Sequence, residues 1–218
     1  MPLYSPAEAA HYLRLPASTV RAWSFGQAYR DAKGESHRFE SVITVADRKN
    51  RRLSFINLVE LLVLAAIRRK HRVPLPEVRN AIAYLRKKFP STHPLSDHAF
   101  QTDGVHLFVE KFGQLVNISM DGQIAMKQMI ESYLRGVERD PKGIPIKLYL
   151  PSRDVQASEP SKVVIDPSRG FGRPVVDGVG VRTEVVLQRF HAGEGISSLA
   201  ADYALPADVI EDVIRLAA

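Results

Sequence analysis

A chain of 218 residues, 45% hydrophobic and 25% charged, has the composition of an ordinary globular protein and the length for one large domain or two small ones. It contains no cysteine, which excludes disulfides, thiolate metal sites and a cysteine nucleophile. Its net charge of +6 is uneven: Lys and Arg number 17 against 7 Asp and Glu over residues 1–90, 6 against 7 over 91–150, and 7 against 10 over 151–218. The basic first part suits a polyanion, because neutralised phosphates release counterions, although a solvated basic surface gives the same balance.

Ser5-Pro6-Ala7-Glu8 reads as a helix start, with a capping serine, a first-turn proline and a glutamate three residues after the cap. Ala9, Ala10, Tyr12 and Leu13 supply its apolar face, and Leu15-Pro16 ends it. A second short helix, Thr19 to Ser24, closes near Gly26, and two short helices joined by a tight turn make a helix-turn-helix. Phe39 to Val45 is strand-like, Asp47-Arg48-Lys49-Asn50-Arg51-Arg52 is turn-like, and the return to Leu53 completes a wing. Leu58, Leu61, Leu62, Ala65 and Ala66 then recur at helical spacing up to the basic run Arg68–Arg72. Pro74 and Pro76 restart the chain into a helix lined by Val78, Ile82, Leu85 and Phe89.

Residues 104–119 are expected to form a β-hairpin, with Phe112-Gly113 between two apolar runs. Asp121 is expected to cap a helix carrying Ile124, Met126, Met129, Ile130 and Leu134, and Ile144 to Leu150 suggests a further strand. Residues 151–162 have a linker composition. Beyond them the pattern gives a strand at Val163–Ile165 and helices near Glu184–Ala192, Ser197–Tyr203 (capped by Ser197) and Ala207–Ala217. The fold class expected is α+β, mainly α. The expected parts are a winged helix-turn-helix with a helical hairpin (1–90), a packing or dimerisation extension (91–150), the linker (151–162) and a small three-helix domain (163–218).

A recognition helix presents small and polar side chains to base edges while burying its other face. Ser18, Thr19, Arg21 and Ser24 fit the outer face and Val20 and Trp23 the inner one. Arg21 is the best single candidate for a guanine or phosphate, since a guanidinium fork matches both. Arg48, Lys49, Arg51 and Arg52 at the wing tip are the candidates for flanking phosphates or the minor groove. The cations at 68–72 are equally accounted for by a helix C-terminus. No catalytic constellation stands out. His93, Asp97 and His98 lie in a loop-like segment without a third ligand, and the Gly170 and Gly178 clusters lack phosphate-loop spacing. Met126, Met129 and Ile130 form an apolar stripe suited to a core, a dimer face or an effector site. No cofactor, metal or membrane span is expected, nor a signal peptide, and the expected location is the cytoplasm.

Residues 163–218 resemble a small antitoxin-associated domain. The resemblance is carried by Val164-Ile165-Asp166-Pro167, Gly172-Arg173-Pro174-Val175-Val176-Asp177-Gly178, Val181, Val186-Leu187, Ala192-Gly193, Leu199-Ala200, Asp202-Tyr203 and Ile210. Residues 1–90 are similar to the MerR-type winged helix in Ser5–Ala10 and Ser18–Trp23. The whole chain resembles VapB-like antitoxins of type II toxin–antitoxin pairs. The resemblance implies a homodimer that binds operator DNA, represses its own gene pair and neutralises a PIN-type ribonuclease, with Arg182 and Arg189 as candidates to face toxin carboxylates. The rival expectation is a stand-alone MerR-like regulator with residues 91–150 sensing a small effector.

Overall fold

The computed structural model describes residues 2–30, 34–71, 75–89, 91–116, 119–151 and 161–217. The fold is mixed α+β and mainly helical, in two compact units: Met1–Arg135 with Arg139–Pro145, and Gly136–Glu138 with Ile146–Ala218.

The first unit opens with strand β1 (Pro2–Tyr4) and helix α1 (Pro6–Leu13). The capping box forms as expected: Ser5 Oγ accepts from the Glu8 amide at 3.2 Å, and Glu8 Oε2 accepts from the Ser5 amide at 2.8 Å. Arg14, in a left-handed conformation, turns the chain into α2 (Ala17–Phe25). An exposed antiparallel hairpin follows, strands β2 (Gln27–Arg30) and β3 (Ser36–Phe39), with Tyr29 opposite His37. Gly26 separates helix from hairpin at φ +79, where a Cβ would collide with the Phe39 carbonyl. The strand expected over Phe39–Val45 is therefore displaced. Pairing ends at Phe39, and Val42 and Ile43 are instead buried as irregular chain, their amides donating to Trp23 O at 2.7 and 3.4 Å.

Strand β4 (Leu53–Ser54) pairs with β1 and leads into α3 (Phe55–His71). Every residue from Leu58 to Ile67 is buried, so this helix is apolar on all sides and forms the unit's centre. Helix α4 (Leu75–Lys88) packs Val78, Ala81, Ile82 and Leu85 inward.

The hairpin expected over 104–119 is a helix. A π-helical turn at Phe100–Gly104 runs into α5 (Val105–Val116); Asn117 and Ile118 lie outside the described residues. The spacing explains the correction. Val105, Phe108, Val109 and Phe112 are all buried and stand at i, i+3, i+4 and i+7, which gathers them on one helical face but splits them across a strand. Phe108 stacks on Phe112 at 6.0 Å and meets Phe100 edge-on at 6.2 Å. Helix α6 (Met120–Leu134) buries Met126, Ile130 and Leu134, and its cap is Ser119, whose hydroxyl accepts from the Gly122 amide, rather than Asp121. Residues 91–135 thus belong to the same compact unit as the winged helix.

A four-stranded sheet, all but Arg139 and Pro145 of it in the second unit, runs in the order β5 (Val137–Arg139), β6 (Pro145–Tyr149), β7 (Val163–Ile165), β8 (Pro174–Val176), with β7 antiparallel to both neighbours. Within the expected linker, residues 152–160 lie outside the described residues. Helices α7 (Thr183–His191), α8 (Ile196–Tyr203) and α9 (Ala207–Ala217) pack around Val186, Leu199, Val209, Ile210 and Val213. The cap of α8 is Gly195, which has no side chain to offer, and not Ser197.

A buried polar cluster sits under the helix-turn-helix. Asn57 Oδ1 accepts from the amides of Ala46 and Ser54 and from Ser54 Oγ, and Asn57 Nδ2 donates to Thr44 O and Glu60 Oε2. Glu60 is 1% exposed and holds His93 Nδ1 at 3.0 Å. Burial raises the Glu60 carboxyl above its usual range, and the hydrogen bond to Glu60 raises His93. Both groups therefore retain protons to higher pH in the folded chain than in the unfolded one. Stability should fall as pH rises: the Glu60 part begins to go above about pH 4.5, and the His93 part is intact below about 6.5 and lost through its raised value. Urea midpoints should decline toward alkaline pH, and His93→Gln should flatten the decline above neutrality. A wild-type midpoint that rises over that range would contradict this assignment.

Candidate nucleic-acid interface

Helix α2 divides cleanly into two faces. Val20 and Trp23 are buried, at 0% and 2% exposure, while Ser18 and Arg21 are exposed and Thr19 is half-buried. Ser24, expected on the outer face, is fully buried; it follows Val20 by four residues and so shares its inward side. The helix is pinned from behind by the Arg68 guanidinium, 5.6 Å over the Trp23 ring.

The basic tip is a tight turn. Asp47 and Arg52 exchange backbone hydrogen bonds at 3.1 and 2.9 Å, and Asp47 Oδ1 accepts from the Asn50 amide at 2.9 Å. The Asn50 bonds hold the Asp47 carboxylate below its usual range. The four cations have different duties. Arg48 reaches back to Phe25 O at 3.1 Å and to Ser41 Oγ at 3.4 Å, so it caps the C-terminus of α2. Arg51, at φ +52, lies 5.5 Å over the Phe25 ring. Arg52 stands 3.8 Å from Glu8 Oε2. Lys49 is exposed at the apex.

Sequence reasoning passed over the hairpin β2–β3. Its residues Gln27, Ala28, Tyr29, Arg30, Ser36, His37 and Arg38 are all exposed. Tyr29 stacks on Phe39 at 4.3 Å and on His37 at 5.4 Å, which stiffens a ribbon that buries little else. Arg38 Nη2 donates to Phe25 O at 3.5 Å, and the Arg79 guanidinium covers Phe39 at 5.5 Å while donating to Glu40 O. The available signal was two short runs with aromatics separated by five residues that include Gly34. The exposed polar and basic side chains of these elements are Ser18 and Arg21 on α2, Arg30 and Arg38 on the hairpin, and Arg48, Lys49, Arg51 and Arg52 on the turn, with Thr19 half-buried. Among the described residues no group of three His, Asp or Glu side chains could hold a metal, and no helix is long and apolar enough to cross a membrane.

Residues 2–82 match the family model "Putative DNA-binding HTH domain", and residues 163–217 match a protein family of unknown function. The chain is 30% identical to "Putative antitoxin VapB45" of Mycobacterium tuberculosis, over 98% of this chain and 93% of that protein. It belongs to the family of VapB45. An uncharacterized protein of the same organism is 27% identical over 97% of this chain and 88% of its own length. A crystal structure of a protein from Mycobacterium tuberculosis superposes with a TM-score of 0.71 at 26% identity, covering 98% of this chain and 97% of that one. The VapB45 relationship spans both units, so the winged helix and the C-terminal domain are parts of one family architecture.

Of the two other candidates, Arg182 is exposed at the cap of α7. Arg189 is committed internally: Nε donates to Glu194 Oε1 at 2.6 Å, Nη2 donates to Glu194 and to Asp202 Oδ2 at 2.5 Å, and the guanidinium lies 5.2 Å over the Tyr203 ring.

The division of labour in the basic turn can be tested by denaturation. Arg48→Met should cost about 1 kcal/mol through loss of the α2 cap, whereas Lys49→Met should leave the urea midpoint unchanged. Equal midpoints for the two variants would show that the cap contributes nothing.

Proposed function

We propose that this chain is an antitoxin that binds operator DNA through its winged helix-turn-helix, represses its own gene pair as a homodimer in the cytoplasm, and neutralises a PIN-type ribonuclease toxin. The observation that carries the DNA-binding part is the α2 surface: Ser18 and Arg21 exposed on a helix whose other side is locked by Val20, Trp23 and the buried Ser24. A rigid helix with small polar groups and one forked cation outward is what base-edge recognition needs. The hairpin and the basic turn, which both follow it in sequence, add cations that suit phosphate contacts. The antitoxin part rests on the family relationship to VapB45. Two-fold symmetry of a dimer would match paired half-sites in an operator.

Binding to DNA from upstream of the gene pair separates the roles. Arg21→Ala should cost about 1–3 kcal/mol and relax preference at one base position. Lys49→Ala with Arg51→Ala should weaken binding to all sequences and reduce the salt slope by about two units. A slope unchanged by the double substitution removes the turn from the interface. For the antitoxin part, the purified chain should capture the product of the neighbouring gene and suppress its RNA cleavage. DNA binding without capture would make the protein a stand-alone regulator.

A further inference from the structure

Three guanidiniums converge on one residue at the C-terminal end of α2. Arg48 Nη2 and Arg38 Nη2 both donate to Phe25 O, at 3.1 and 3.5 Å, and the Arg51 guanidinium lies 5.5 Å over the Phe25 ring. Arg38 comes from β3 and the other two from the basic turn, so the fold brings them together and not a run of sequence. Phe25 is buried, which fixes the point on which they meet. All three arginines are exposed. Among the described residues none of the three is in an ion pair. The acidic groups of the turn and of α1 are taken elsewhere: Asp47 by Asn50, and Glu8 by the Ser5 amide and Arg52.

Helix capping accounts for one of the three cations. The end of a helix presents about half a negative charge, which a single guanidinium more than balances. Arg48 fills that role, with Nη1 braced on Ser41 Oγ at 3.4 Å. Arg38 and Arg51 add two further positive charges beside it, and like charges repel. Arg51 is also held at φ +52, a left-handed conformation that glycine and asparagine adopt readily and an arginine only at a cost. The backbone pair between Asp47 and Arg52 closes the turn that holds it there. Uncompensated charge on a tied, strained turn is the arrangement of an anion site in which little freedom is left to lose on binding.

The position selects the anion. Arg21 precedes Phe25 by four residues, so the cluster lies one turn, about 6 Å, farther along α2 than the exposed arginine of its outer face. A helix that presents side chains to base edges has the phosphates bordering the groove beside its ends. We infer that Arg38 and Arg51 clamp a single phosphate of the DNA backbone across the Arg48 cap and so fix the C-terminal end of α2 against the duplex. This rests on the DNA-binding reading and adds to it the contact that sets the register of the helix. A phosphate shared by two guanidiniums is recognised by charge and forked geometry and carries no sequence information, so the clamp positions Arg21 and does not read bases itself.

Methylphosphonate substitution tests this, because it removes the charge of one phosphate and leaves every base unchanged. The duplex carries the footprinted site from upstream of the gene pair, with its phosphates neutralised one at a time. One phosphate in each half-site should weaken wild-type binding about tenfold when neutralised. Arg38→Gln with Arg51→Gln should lose about the same factor on the natural duplex and should be indifferent to neutralisation of that one phosphate. On the natural duplex the second substitution should cost less than the first, since both act on one group. The urea midpoint of the double variant should match wild type, unlike that of Arg48→Met. Additive losses from the two arginines, or a double variant still sensitive to every phosphate that wild type senses, would refute the clamp and leave the DNA-binding reading standing. If wild type binds the natural duplex no better than competitor DNA, the reading and the clamp fall together.

Discussion

The winged helix-turn-helix depends on one buried amide. Asn57 lies in the first turn of α3, and both polar atoms of its side chain are committed to chain outside the regular elements or to the next buried group. Thr44 and Ala46 belong to the irregular segment between the hairpin and the basic turn, which has no ladder of its own. Thr44 and Ala46 are themselves exposed, and Asn57 ties their backbone groups to the buried side of the segment. The segment in turn gives Val42 and Ile43 to the core and donates two amides to Trp23 O. The orientation of α2 is therefore set from α3 through an asparagine rather than through apolar contact alone. Glu60 and His93 extend the same network to the loop after α4, which is why a carboxylate persists inside the most apolar stretch of the chain.

Much of this was legible in the residues. The capping box at Ser5 and Glu8, the second helix, the central helix and the three C-terminal helices follow from local chemistry that the tertiary structure leaves intact. One element was misread and another missed, each for an identifiable reason. Residues 104–119 combine β-branched and aromatic residues with a Phe-Gly pair, which imitates a turn between strands; the period of the buried set is 3.6, and burial follows period over composition. The hairpin at Gln27–Phe39 left no apolar alternation because nearly all of it is exposed, so its stability comes from Tyr29, His37 and Phe39 stacking along one side.

The cations were legible as a cluster but not as individuals. Sequence cannot distinguish an arginine that caps a helix from one that faces solvent, because both are basic residues at a turn. Arg48 is spent on the Phe25 carbonyl, Arg52 faces Glu8, and Arg189 is enclosed by Glu194, Asp202 and Tyr203. These residues hold candidate surfaces in shape, while Arg21, Lys49 and Arg182 are exposed and Arg51 is exposed against the Phe25 ring. Charge counting therefore overstates an interface, and the geometry divides it into scaffold and contact.

The same division applies in the C-terminal unit. There the guanidinium of Arg189 ties α7 to the chain before α8 and to α8 itself, so its charge is neutralised inside the helical bundle. The loop Gly170–Gly172 shows the opposite arrangement: its backbone is fully tied and strained, its carboxylates are satisfied, and its largest side chain is left in water. A folded chain gains nothing from that exposure by itself, since burying a phenylalanine contributes about 1.5–3 kcal/mol and a left-handed non-glycine residue costs about 1–3 kcal/mol.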